Sequence, residues 1–234
     1  MTWTHRAGRG VVTALAGVAI SATVLAGCSS SASSSHGTHA AGAAVPASAV
    51  SPRTTAQIGL YTAMHQLWSQ HMEWTYATVD AFFHNQKSLQ PTLHRLLQNQ
   101  RDIGAAIVPF YGQTAGDKLT NLLLTHINDA VPVLQAAQSG DSAALNKAMN
   151  AWYANAKQIA DFLSAANPRN WPTSATEPML KEHITQTTAY SVDLLKGNYA
   201  QAITDYGKAE QHMAMLADVL SKGIIAQFPR KFVG

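Results

Sequence analysis

An all-helical bundle is the fold class predicted for residues 54–230, and three observations predict it. Apolar residues recur at three- and four-residue spacing along almost the whole stretch, the period of one helix face. Turn signals break that pattern at short intervals, at Gly112, Ser139-Gly140, the prolines of 167–178 and Gly197. No segment alternates apolar and polar residues with the β-branched enrichment of a half-buried strand. The expectation is one domain of about six helices. Four long ones form its core (the first, third, fifth and sixth, or a near variant), and about two shorter ones pack alongside.

Taken in order, Thr54 with Gln57 offers a capping box that opens a first helix carrying Leu60, Met64, Leu67, His71 and Trp74 and reaching His84. Pro91 suits a first turn and starts a second helix, with Leu93, Leu96, Leu97, Ile103, Ile107 and Val108, which ends between Pro109 and Gly112. Thr114 with Asp117 offers the next cap; the third helix runs through Leu119, Leu123, His126, Val133 and Leu134, and Pro132 should kink it. Asp141 caps a fourth, bearing Leu145, Met149, Trp152, Ile159 and Leu163. Residues 167–178 read as the one irregular connection, with Trp171 folding back on the bundle as a plug. Ser174, Glu177 and Pro178 then start a fifth helix through Leu180, His183, Ile184 and Tyr190. Asn198 with Gln201 opens a sixth, ending at Phe228-Pro229.

Ahead of the bundle stands a different kind of sequence. Residues 1–27 have a basic start (His5, Arg6, Arg9), an apolar run from Val11 to Ala26 and small residues before the lone cysteine, the three-part pattern of an export signal. That run of about sixteen residues is short of the roughly twenty that span a bilayer. Leu25, Ala26, Gly27 and Cys28 resemble a bacterial lipobox. The resemblance implies cleavage before Cys28, a diacylglycerol thioether and further acylation, palmitate included, on that cysteine, and a chain anchored to the outer face of the cell membrane. Residues 28–53 are a flexible Ser/Ala-rich tether with too few large apolar groups to offset ordering. With no second cysteine, disulfides and cysteine metal ligation are excluded.

Formal charge is +3, but Arg6 and Arg9 belong to the leader, leaving about +1 from fourteen basic and thirteen acidic side chains. Without a basic stripe, nucleic acid is not an expected partner. The bilayer, through acylated Cys28, is expected; an envelope protein or a second copy of the chain is compatible.

Chemistry is concentrated in histidine. His71, His126, His183 and His212 each sit in an apolar stripe, on four different helices, with Leu, Ile or Met three or four residues away. Sites in bundles are built from facing helices, and neutral imidazole suits copper, zinc or iron, as ion or haem. Met72, Met213 and Met215 could add thioethers favouring Cu(I), and Asp129 and Asp102 are accessory carboxylates. Neither HExxH nor the Glu plus ExxH pattern of di-iron bundles is present.

At LWSQHMEW, LLQNQRDIGAAIVPFYG, LTNLLLTHI, DFLSAANPRNWP and HMAMLADVLSKGIIAQFP, the chain resembles a family of helical bacterial proteins, many from Gram-positive spore formers, over roughly residues 60–230. Some members carry the label acetylglutamate kinase. The resemblance implies the helical fold, not the labelled activity. A kinase needs a phosphate-holding loop with lysine and Mg²⁺ ligands; this chain has no Gly-rich loop of that kind and carries an export signal. The sequence thus points first to a lipid-anchored binding module for a transition metal. A structural or protein-interaction envelope or spore lipoprotein and a metal-dependent oxidoreductase stand as alternatives.

Overall fold

A computed structural model describes residues 53–233. The leader, Cys28 and nearly all of the expected tether lie outside the described residues. Six helices follow one another: α1 Thr55–His84, α2 Gln86–Tyr111, α3 Gln113–Ser139, α4 Ser142–Ala166, α5 Thr173–Leu195 and α6 Tyr199–Gln227, with a 3₁₀ turn at Pro229–Phe232. No strand occurs among the described residues. The helices run from 23 to 30 residues, so none is markedly shorter than the rest, and the split into four long and two short is not what the lengths show.

Each helix packs on the next, and α6 returns to α1, closing a ring that α5 crosses to meet α1 and α3. Cross-helix bonds fix the directions. Asn99 to Leu67 and Arg95 to Gln70 pair α2 antiparallel with α1; His65 with Asp218 and Tyr76 against Tyr206 pair α1 antiparallel with α6. The bundle therefore runs up and down throughout, as short connections demand.

Local chemistry explains most boundaries. Thr54 accepts from the Gln57 N–H, and Gln57 accepts from the Thr54 N–H, completing the capping box. The Thr54 hydroxyl also donates to the Phe232 carbonyl (2.9 Å), tying the start of the bundle to its end. Gly112 (φ 82°) and Gly140 (φ 71°) take the left-handed backbone that lets α2 turn into α3 and α3 stop. Asp141 accepts from the Ala144 N–H (2.9 Å) at the head of α4.

Three starts differ from the sequence expectation. α2 begins at Gln86, so Pro91 lies inside it; the carbonyl it leaves without a donor belongs to Lys87, which is exposed to water. α3 begins after Gly112 with no side-chain cap, and Thr114 is not its cap. α5 begins at Thr173, leaving only 167–172 irregular, with Pro178 carried inside the helix.

The core is continuous, with Met72, Ile184, Leu216 and Ile224 fully buried. Two close approaches need glycine. A Cβ on Gly104 would run into the Thr120 hydroxyl and within 2.8 Å of the Gly116 carbonyl, so α2 and α3 meet backbone to backbone there. Gly223 accommodates Trp171, which is 2% exposed and donates from Nε1 to the Val219 carbonyl (3.2 Å). No helix of the described residues is long and apolar enough to cross a membrane.

Candidate histidine-floored cavity

Heptad-like spacing brings three histidines together. On α1, Met64, Trp68, His71 and Thr75 form an inward stripe; on α3, Leu119, Leu123 and His126; on α5, Leu180, His183, Ile184 and Thr187. All three imidazoles are buried, at 2, 4 and 3% exposure. The His71 and His183 Nε2 atoms lie 3.3 Å apart. The His126 ring stacks on His183 at 5.8 Å between centroids, and Trp152 closes on His126 at 5.3 Å.

Neighbouring amides set where the protons sit. Asn155 gives its Nδ2 hydrogen to the Leu122 carbonyl (3.1 Å), so its Oδ1 faces His126 Nδ1 (2.9 Å) and that nitrogen must donate. Gln100 Nε2 lies against the Leu96 carbonyl (2.9 Å) and Asn99 Oδ1 (3.2 Å), which makes it the donor end of the amide. It faces His71 Nδ1 at 3.2 Å, so its two hydrogens are shared among three acceptors and that ring nitrogen is one of them. His71 then carries its proton on Nε2 and gives it to His183 Nε2. The second His183 nitrogen, Nδ1, is left protonated, 3.5 Å from the Thr187 hydroxyl oxygen. This relay is self-consistent with all three rings neutral.

Burial holds them neutral. Loss of hydration pushes His71 down to about 3, with repulsion from His126 adding to it. Burial takes His126 to about 4, partly opposed by the Asn155 bond. His183 is driven well below the ordinary value by burial first, then by His71, His126 and His212.

These rings floor a cavity of about 210 Å³. Thr75, Thr78, Val79 and Phe82 of α1, Leu89, Leu93 and Leu96 of α2, and Ile127, Ala130, Val131 and Leu134 of α3 wall it. Gln90, exposed, lies on its rim, and among the described residues no Lys, Arg, Asp or Glu lines it.

The other sequence candidates lie elsewhere. His212 is half-buried outside the cavity and donates from Nε2 to the Met179 carbonyl (2.8 Å), joining α6 to α5. Met72 and Met213 are sealed in the core and do not line the cavity, and Met215 is 52% exposed. Asp129 is half-buried with its carboxyl raised by desolvation, again outside the cavity. Asp102 accepts from Gln98 (2.9 Å) and faces Arg95 at 3.6 Å; it reaches neither a histidine nor Tyr111. Among the described residues, no group of three or more His, Cys, Asp and Glu side chains is arranged to hold a metal ion.

From the sequence, the polar run Asn99-Gln100-Arg101-Asp102 stands out in an apolar-faced helix with Arg101 or Asp102 as the expected inward group, whereas it is Gln100 that meets His71; Asn155 was not singled out. Their signal is present: each is a polar residue at an apolar-stripe position, Gln100 four after Leu96 and Asn155 three after Trp152. Comparison with protein-family models, with curated proteins and with solved structures finds no match.

Proposed function

We propose that the protein is a lipid-tethered extracytoplasmic binding module that takes a small, largely apolar molecule into the histidine-floored cavity. The cavity is the observation that carries the reading. Protein interiors leave few voids larger than a water, so an apolar space of about 210 Å³ within the bundle calls for an occupant. An apolar chamber with a few convergent polar groups of perturbed pKa is the usual form of a ligand site. A dry cavity of about 150 Å³ admits benzene; this one has room for a ligand of about ten non-hydrogen atoms. Support for the anchor and tether is the LAGC segment at Cys28 with the Ser/Ala-rich stretch that follows it.

Thermal unfolding of the full chain against a panel of small hydrocarbons, phenols and alcohols tests this. A ligand at a hundred times its Kd contributes about 2.7 kcal/mol, which raises Tm by roughly 5–10 °C for a domain of this size. A panel without a single stabilising member sinks the reading.

One observation favours a transition metal as a second reading. Two bonds of about 2.0–2.1 Å at a tetrahedral angle put their nitrogens about 3.3–3.4 Å apart, matching the 3.3 Å between His71 and His183. Copper, zinc or iron would be held there by His71 and His183. His71 must first move its proton to Nδ1, and Gln100 must turn its unpartnered Oε1 toward that ring. Elemental analysis after loading discriminates: about one metal per chain, lost in both His71→Ala and His183→Ala, supports the metal, and none bound rules it out.

A further inference from the structure

We propose that the ligand's polar head is a neutral hydrogen-bond donor, a phenolic or alcoholic hydroxyl on an apolar body, and that His126 Nε2 accepts its hydrogen. This rests on the cavity reading and adds what the cavity selects.

One ring nitrogen has an unused lone pair. Asn155 consumes His126 Nδ1–H, and no partner meets His126 Nε2 among the described residues. Nor is that nitrogen sealed off: the closed-in, unpaired side-chain atoms include Trp68 Nε1, Trp152 Nε1 and Gln100 Oε1, and His126 Nε2 is not among them. His126 lines the cavity and keeps 4% of its surface exposed, and we assign that opening to Nε2. A buried acceptor without a donor costs about 1–3 kcal/mol, and a donor from the ligand relieves it.

The rest of the wall sets the remaining limits. His71 and His183 satisfy each other. Thr75 and Thr78 give their hydrogens to the His71 and Trp74 carbonyls, so they too present only lone pairs. Thr187 is the one inner hydroxyl without a backbone carbonyl to donate to among the described residues, so a hydroxyl head, which donates and accepts, fits better than an ether or ketone, which only accepts. Among the described residues no cationic side chain lines the cavity to neutralise a carboxylate or phosphate, and no carboxylate to neutralise an ammonium.

Calorimetric titration of the full chain with four probes of one shape tests the assignment: p-cresol, p-xylene, p-toluate and p-methylbenzylamine. The expected result is p-cresol tighter than p-xylene by about fivefold or more, with no detectable binding of the two charged probes. His126→Phe should bring p-cresol to the level of p-xylene. Histidine ¹⁵N spectra of the unaltered chain give a reading independent of any variant: His126 Nε2 resonates as a bare nitrogen and moves with p-cresol, not with p-xylene. Equal affinity for p-cresol and p-xylene, preference for p-toluate, or a protonated His126 Nε2 overturns the donor-head assignment while leaving the cavity reading standing. Binding of none of the four removes both.

Discussion

Acid should loosen this bundle well above the pH at which carboxylates titrate. The unfolded chain has histidines near 6.5, whereas the folded values are about 3 for His71 and about 4 for His126. Below about pH 6.5 the unfolded state therefore binds protons that the folded state refuses, and stability falls with pH. The contribution is complete above about 6.5 and is lost progressively between 6.5 and the folded values. By about pH 5 each of these two rings costs about 2 kcal/mol, and His183 adds in the same direction. A loss of about 4 kcal/mol is a large share of a typical 5–15 kcal/mol. With a urea slope of about 2 kcal/mol/M, the midpoint of metal-free protein should drop by about 2 M between pH 7 and pH 5. His126→Phe should recover part of that drop, less than half, because its share of the proton uptake is gone while those of His71 and His183 remain. Equal midpoints at the two pH values, or a drop that His126→Phe leaves untouched, would refute the claim that the folded state holds these imidazoles neutral.

Gly104→Ala should destabilise by about 1–3 kcal/mol through overpacking against Thr120 and the Gly116 backbone; Gly207→Ala, with nothing within 4 Å of the new methyl, should be neutral or stabilising by up to about 1 kcal/mol, both read from thermal melts. Asn155→Leu strands the Nδ1–H of His126, removes a second donor from the Leu122 carbonyl and should cost about 1–3 kcal/mol in urea unfolding. Ala130→Leu, which adds bulk to the cavity wall, should raise Tm of the ligand-free chain and abolish ligand-induced shifts. Cys28→Ser should move the protein from the membrane fraction to the soluble fraction of expressing cells if the cysteine carries the anchor.

Helices with strong local signals were legible residue by residue. Thr54 and Gln57 form their box, Asp141 caps α4, and Gly112 and Gly140 sit in the left-handed turns, because each depends only on atoms a few residues apart. Pro91 and Thr114 misplaced two starts. A proline near a helix start costs a single solvent-facing bond, and Gly112 alone makes the α2–α3 turn, so neither end needed the residue the pattern suggested. For the site, spacing alone could say that four histidines face inward, but not which helices face each other at one height. Ring closure by α6 and the crossing by α5 bring His71, His126 and His183 together and leave His212 on the Met179 carbonyl. Gln100 and Asn155 were hidden for a related reason: a polar residue on an apolar stripe reads as an interruption until its partner on the neighbouring helix is known.

The most direct test of the central claim is a crystal structure of the full chain with p-cresol. The account predicts an aromatic molecule inside the cavity, between Leu93, Val131 and Leu134, with its oxygen within hydrogen-bond distance of His126 Nε2. A cavity holding only water at saturating p-cresol, or a metal ion bonded to His71 and His183 in its place, would contradict it.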